Sequence, residues 1–330
     1  MTRFAALLVA TLLLAGCGGA TYANPVFEPI LADPSVIRAD DGLFYAYGTQ
    51  DDWGDGEGSR VVPVVRSADL VEWEHVGEAF DEQPGWKSPA FVWAPHIQRF
   101  DDTYALYYSL SVWDDPDPGI GVATSGRPQG PFTDHGKLFT SSEIGVDNSI
   151  DPYVHVRDGI PYLFWGSFNG ISGVQLTADG RALDGEPFPV AGDTFEAPYI
   201  VERDGAYWLF LSRGSCCEGE FSTYEVVVGR ADSLEGPYLD REGTDLRESD
   251  GTLVLSGGER FVGPGHNAVV RADDGTDWIV YHAIDADQPY VEGGANRRVL
   301  MTDPLIWTGG WPTVADQVPG ERAQPPPEFS

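Results

Sequence analysis

Asn148-Ser149-Ile150-Asp151-Pro152-Tyr153 decides the reading of this chain, because versions of it recur. In most copies a polar residue beside a proline precedes a short apolar run, then an Asp-Gly or Asp-Asp pair, then an aromatic-rich strand. Asp151-Pro152 leads to Asp158-Gly159 and Tyr162-Leu163-Phe164-Trp165. Asp33-Pro34 leads to Asp41-Gly42 and the run Leu43 to Tyr47, and Ala94-Pro95 leads to Asp101-Asp102 and the run Tyr104 to Tyr108. Glu196-Ala197-Pro198 precedes Asp204-Gly205 and Tyr207-Trp208-Leu209-Phe210. The fifth version, Gly265-His266-Asn267, precedes Asp274-Gly275 and Trp278-Ile279-Val280-Tyr281.

Each copy has the form of a hairpin: a strand, a tight turn that Asp-Gly favours, and a second strand. Five hairpins spaced roughly 45 to 70 residues apart predict an all-β, five-bladed β-propeller. Further strand pairs repeat in Val64 to Leu70 with Trp73, Gly121 to Ser125 with Gly130-Pro131-Phe132, and Val227 to Ala231 with Gly236-Pro237-Tyr238. Arg297 to Pro312 supplies the fifth. If the first strand of each blade lies innermost, Asp33, Ala94 with His96, Asp151, Glu196 and His266 converge on one end of the axis.

Composition narrows the class. Forty glycines and 25 prolines interrupt the apolar runs, and no long helical periodicity intervenes, which argues against a doubly wound α/β enzyme. The formal charge of −32, with Lys87 and Lys137 as the two lysines, repels nucleic acid and anionic headgroups and points to a neutral or cationic partner. Met1-Thr2-Arg3 followed by the apolar run Phe4 to Ala15 reads as a secretory signal, and Leu14-Ala15-Gly16-Cys17 resembles a bacterial lipoprotein cleavage box. The division expected is 1–16 signal peptide, 17–24 tether lipidated at Cys17, 25–318 propeller and 319–330 disordered tail, in a monomer exported and lipid-anchored to the cell envelope. Cys216 and Cys217 are placed to close a vicinal disulfide in an oxidising compartment, in a structural or pocket-lining role rather than a redox one.

Three carboxylates at one mouth suit glycosidic hydrolysis. One carboxylic acid protonates the leaving oxygen, one carboxylate activates water or attacks carbon, and the two need unlike environments. A third acid nearby raises the pKa of the proton donor by like-charge repulsion.

With these residues in view, the chain resembles the family 43 glycoside hydrolases, and within them the endo-acting arabinanases. The resemblance runs from about Asp33 to Pro312 through Trp93-Ala94-Pro95, Asn148 to Pro152, Gly166-Ser167-Phe168, Phe195 to Pro198, Ser215-Cys216-Cys217 with Ser222-Thr223-Tyr224, Gly263 to Asn267, Tyr281-His282 and Gly310-Trp311-Pro312. It implies Asp33 as general base, Glu196 as general acid, and Asp151 as the residue that tunes and orients Glu196. It further implies inversion of configuration, with the base and acid carboxyls about 6.5–9.5 Å apart. His266 resembles the residue that supports a calcium or other ion; its alternative is a buried histidine hydrogen bonded within the funnel.

Trp93 and Phe168 are candidate sugar platforms, with blade core as the alternative, and Asn148 and Ser167 are candidate donors to sugar hydroxyls. His96, standing where the family usually has Asp, is expected to rim the cleft. The implied substrate is a neutral plant-type polysaccharide, α-1,5-linked L-arabinofuranosyl arabinan. An exo-acting arabinofuranosidase or β-xylosidase of the same fold, or a non-catalytic glycan-binding propeller, are the other readings.

Overall fold

The structure is a computed structural model and describes residues 20–329. The expected signal sequence and Cys17 lie outside the described residues. Five four-stranded antiparallel sheets follow one another along the chain, as the repeats predicted.

The first blade holds β1 (Ser35–Arg38), β2 (Phe44–Tyr47), β5 (Pro63–Ser67) and β6 (Trp73–Glu78). A small hairpin, β3 (Asp51–Asp52) with β4 (Ser59–Arg60), interrupts it. The second contains β7 (Phe91–Phe100), β8 (Thr103–Ser111), β9 (Gly119–Ser125) and β10 (Thr133–Thr140). The third contains β11 (Tyr153–Arg157), β12 (Ile160–Trp165), β13 (Ile171–Gln175) and β14 (Phe188–Ala191). The fourth contains β15 (Glu196–Arg203), β16 (Ala206–Arg213), β17 (Glu225–Ala231) and β18 (Thr252–Leu255). The fifth contains β19 (Phe261–Arg271), β20 (Asp277–Asp285), β21 (Arg298–Thr308) and β22 (Trp311–Thr313).

First strands touch first strands around the ring, β1 against β7, β7 against β11, β11 against β15, β15 against β19 and β19 against β1, so each is the innermost of its blade. The second strands carry the aromatic runs and are almost wholly buried, because both faces of every blade are covered by its neighbours. Phe44, Tyr108, Phe164, Phe210 and Tyr281 are each fully buried there.

One backbone device repeats at the mouth of the ring. Asp33, Ala94, Asp151, Ala197 and His266 all have positive φ, between 45° and 58°. Such a conformation costs a non-glycine residue about 1–2 kcal/mol, and it re-aims the side chain just before the first strand or at a bulge within it. In the fourth blade the repeat position is Ala197, so the acid comes from the residue before it, Glu196.

Three expectations need correction. Gly236-Pro237-Tyr238 does not start the outer strand of the fourth blade: Leu239 bridges back to Arg230, and Thr252–Leu255 pairs with β17 instead. Residues 20–24 are not a free tether, since Tyr22 and Asn24 are buried and hydrogen bond to Thr302. The tail does not hang free over 319–329, because Gln324 pairs with Tyr22 and the Phe329 ring lies 4.5 Å from that of Phe44. Apolar partners scattered through a polar sequence leave no periodic signal to reveal such docking.

Candidate active site

A cleft of about 710 Å³ opens at the mouth of the ring, and Asp33, Asp151, Glu196 and His266 line it. The three acids predicted from the repeats therefore share one cavity.

Asp33 is held as an anion. Its carboxylate accepts a hydrogen bond from Thr49 Oγ1 at 2.5 Å and lies 3.3 Å from a guanidinium nitrogen of Arg298. His282 and His266 each place Nδ1 within 3.5 Å of its Oδ1. Burial pushes its pKa up, but the Arg298 charge and the Thr49 hydrogen bond, with the histidines adding only when protonated, bring it well below the usual carboxylate range. The Asp33 backbone N–H donates to His282 Nδ1 at 3.0 Å, which makes that nitrogen an acceptor and the ring neutral. Burial agrees, holding the His282 pKa down to about 3.

Glu196 sits in the opposite regime. It is buried, accepts from Ser167 Oγ at 2.6 Å and from the Tyr224 hydroxyl at 2.5 Å, and its pKa is raised to about 7. Burial is the largest cause; the two hydrogen bonds oppose it, and the charge of Asp33 adds to it. Asp151 is also buried and its pKa lies well above the ordinary value, first through burial and then through the charges of Glu196 and Asp33. The sequence reading made like-charge repulsion the lever on the proton donor; in the structure burial acts first. Asp151 and Glu196 form a pair that retains a proton near neutral pH.

Tyr224 can reach Glu196 because Gly265 leaves room: a Cβ there would lie 2.0 Å from the tyrosine ring. Asn148 and Ser167 line the cleft but are turned partly to structural bonds, Asn148 Nδ2 donating to the Ser167 carbonyl at 2.8 Å. Trp93 is half-buried in the wall, with its ring 5.4 Å from that of Trp113, which is 75% exposed. Phe168 lines another part of the wall and is 42% exposed.

His96 does not rim the cleft. It is buried among the first strands, Nδ1 3.4 Å from Ser35 Oγ and Nε2 3.2 Å from the Val154 carbonyl, with its ring against Tyr153. The left-handed residue at Ala94 changes which side of the strand faces the mouth, so position 96 points into the packing below it.

Among the described residues no group of three or more His, Cys, Asp or Glu side chains converges as a metal cage. What the site offers a cation is one neutral imidazole at His266, whose pKa is lowered by burial, beside an Asp33 carboxylate already engaged by Arg298. That donor set fits an ion that keeps most of its water, not a calcium caged by protein oxygens.

Four participants were missed by the sequence reading as site residues: Thr49, Arg298, Tyr224 and Trp113. Tyr224 stood inside a quoted motif, and Arg298 inside the run Arg297 to Pro312. Cys216 and Cys217, disulfide-bonded to each other, line the same cavity.

The family model for glycosyl hydrolases family 43 matches residues 22–312. The chain belongs to glycosyl hydrolases family 43. This glycosyl hydrolase is 33% identical over 298 residues to the extracellular endo-alpha-(1->5)-L-arabinanase 1 of Bacillus subtilis, covering 86% of this chain and 87% of that one. It is 31% identical to the extracellular exo-alpha-(1->5)-L-arabinofuranosidase ArbA of Cellvibrio japonicus, covering 86% of each chain. Among solved structures, the Cellvibrio cellulosa alpha-L-arabinanase complexed with arabinohexaose superposes on this family 43 chain with a TM-score of 0.76 at 29% identity, over 87% of this chain and 96% of that one.

Proposed function

We propose that this hydrolase cleaves α-1,5-linked L-arabinofuranosyl polysaccharide within the chain and with inversion. What carries the reading is one cleft in which Asp33, paired with Arg298 and Thr49, is held ionised while Glu196, buried against Ser167 and Tyr224 with its pKa raised to about 7, keeps a proton in a large share of molecules near neutral pH. Asp33 takes the proton of an attacking water, while Glu196 delivers its proton to the departing sugar oxygen. Asp151 supports the second step electrostatically, because its charge and that of Glu196 disfavour ionisation of both. Trp93, Phe168 and the exposed Trp113 offer ring faces to furanose C–H groups. The arabinanases among the relatives support arabinan as substrate, and the named exo-acting relative keeps terminal release as the second reading.

The test is incubation with linear α-1,5-arabinan and an aryl arabinofuranoside, with product sizing and NMR of the first-formed anomer. Short oligosaccharides released with inversion are expected. Monosaccharide alone would replace the endo reading by the exo one, and retention would remove Asp33 as a base.

An ion at His266 belongs to the same proposal. Its expected signature is loss of bound metal in the variant His266→Ala, measured by elemental analysis. Export and lipid anchoring through Cys17 rest on the Leu14 to Cys17 box and on relatives named as extracellular. Incorporation of labelled palmitate, abolished by Cys17→Ala, tests the anchor, and gel filtration tests the monomer.

A further inference from the structure

A second cavity, of about 580 Å³, lies between the fourth and fifth blades, away from the acids. Nine residue steps along β21 separate Arg298, beside Asp33, from Trp307 in this groove, about 30 Å of extended chain. In β16 the order is the same: Ser212 pairs with Glu196 at one end, and Ala206 opens into the groove at the other. The groove is thus on the far face of the ring.

Three indoles build it. Trp208 is nearly buried, and Trp307 and Trp311 meet its ring edge to face with centroids 5.0 and 5.1 Å away. Arg203 stacks over Trp307 at 4.6 Å and Arg230 over Trp208 at 6.0 Å. Gly309 and Gly310 both adopt positive φ in the turn between β21 and β22, and Gly310 has open space where a side chain would stand. Trp307 Nε1 is tied to Asp277 at 2.8 Å, whereas Trp311 Nε1 bonds to nothing among the described residues.

Charge selects the ligand class. Arg203 is paired with Asp277 at 2.5 Å and Asp204 at 3.5 Å, and Arg230 with Asp232 at 2.8 Å. The two arginines of the lining are thus neutralised, and although the Arg241 guanidinium stands near Gly309, the field of a −32 chain opposes an anion. Ring faces for C–H groups, beside planar guanidinium and carboxylate groups that bond adjacent hydroxyls, suit a neutral sugar.

We infer that this groove is a surface-binding site for a neutral polysaccharide strand, which holds polymer on the face opposite the cleft. The identity of the polymer as arabinan rests on the proposed function; the site itself does not.

The experiment uses full chain carrying Glu196→Gln, so that polymer stays intact, in affinity electrophoresis against linear arabinan, galactan and xylan. Adding Trp311→Ala is expected to weaken retardation by arabinan about five- to tenfold, the loss of one stacked indole. Calorimetric binding of arabinotriose at the cleft stays unchanged. Arg230→Ala, at an exposed position, gives a smaller loss and decides the matter if the tryptophan variant fails to fold. Retardation equal to that of the Glu196→Gln chain in both variants would overturn the site. Trp311-dependent retardation by xylan or galactan, with none by arabinan, would support the site and overturn the arabinan reading instead.

Discussion

The Tyr224 hydroxyl donates to Glu196 Oε1 at 2.5 Å while its ring lies stacked on His282, interplanar angle 14°, so one side chain bridges the acid and the histidine that holds Asp33. A donor to a carboxylate favours the ionised form, and it restrains the pKa that burial raises. Tyr224→Phe therefore raises the pKa of Glu196 above about 7 and moves the alkaline limb of the kcat/KM profile to higher pH. Gly265→Ala, which drives a Cβ into the tyrosine ring, disrupts the same bond and costs stability as well. An unmoved alkaline limb in Tyr224→Phe would detach that limb from Glu196.

Arg298 lies largely buried between Asp33 and Asp51, 3.3 and 3.4 Å away. Its replacement by Gln leaves two largely buried acids without their cation, a change that costs up to about 3–5 kcal/mol where the charges are fully buried and less here. The pKa of Asp33 then rises, so activity falls at acid pH where the unaltered enzyme still holds its base ionised. In the unaltered enzyme the depressed pKa adds stability above the ordinary Asp range, and this is lost as pH falls below it. Thermal melts below pH 4 read the stability effect and kcat/KM between pH 4 and 6 reads the catalytic one; a variant with an unchanged acid limb would mean that Arg298 does not set the base.

Glu196 has the reverse linkage. Its folded pKa of about 7 exceeds the ordinary 4.5, so its protonated form is favoured by folding. Stability is full below about 4.5 and declines as pH rises to about 7, by up to ~3 kcal/mol for that span. Glu196→Gln escapes the loss. Its melting temperature should exceed that of the unaltered protein more at pH 8 than at pH 4, and a constant difference across pH would contradict the raised pKa.

The same variant separates substrates by leaving group. Only a poor leaving group needs protonation, so Glu196→Gln should lose about 10²–10⁴ in kcat on arabinan and far less on an activated aryl arabinofuranoside. Equal losses on both would deny Glu196 the acid role.

Trp113 stands 75% exposed beside Trp93. Trp113→Ala should raise KM on arabino-oligosaccharides about fivefold, by loss of ring stacking, with kcat nearly kept. Steady-state kinetics on a length series checks this, and a fall in kcat alone would give the residue a different task.

Local chemistry made the ring legible. Asp-Gly or Asp-Asp turns and alternating aromatic strands lie within about 20 residues of each other, so all five innermost hairpins announce themselves in the sequence, three of them with an acid at the repeat. Thr49 and Arg298 reach Asp33 across 16 and 265 positions, and no local pattern encodes such a meeting. His96 was misplaced for a subtler reason: a single left-handed residue at Ala94 breaks the simple alternation of a strand. The outer strands of the third blade were hidden by Gly170 and Gly173, the latter sitting in β13 where Phe188 and Phe164 leave no room for a side chain.

Residues 22 to 31 run along the last blade: Val26 and Phe27 exchange backbone bonds with Leu300, and the Leu31 N–H donates to the Arg298 carbonyl at 3.0 Å. A circle assembled from consecutive sheets has a single gap in its covalent track, and in this molecule the clasp over that gap is fastened to the very arginine that keeps Asp33 charged. Trimming the beginning of the chain would thus blunt hydrolysis before the blades themselves melted, making the leading segment a guardian of acidity as much as a fastener.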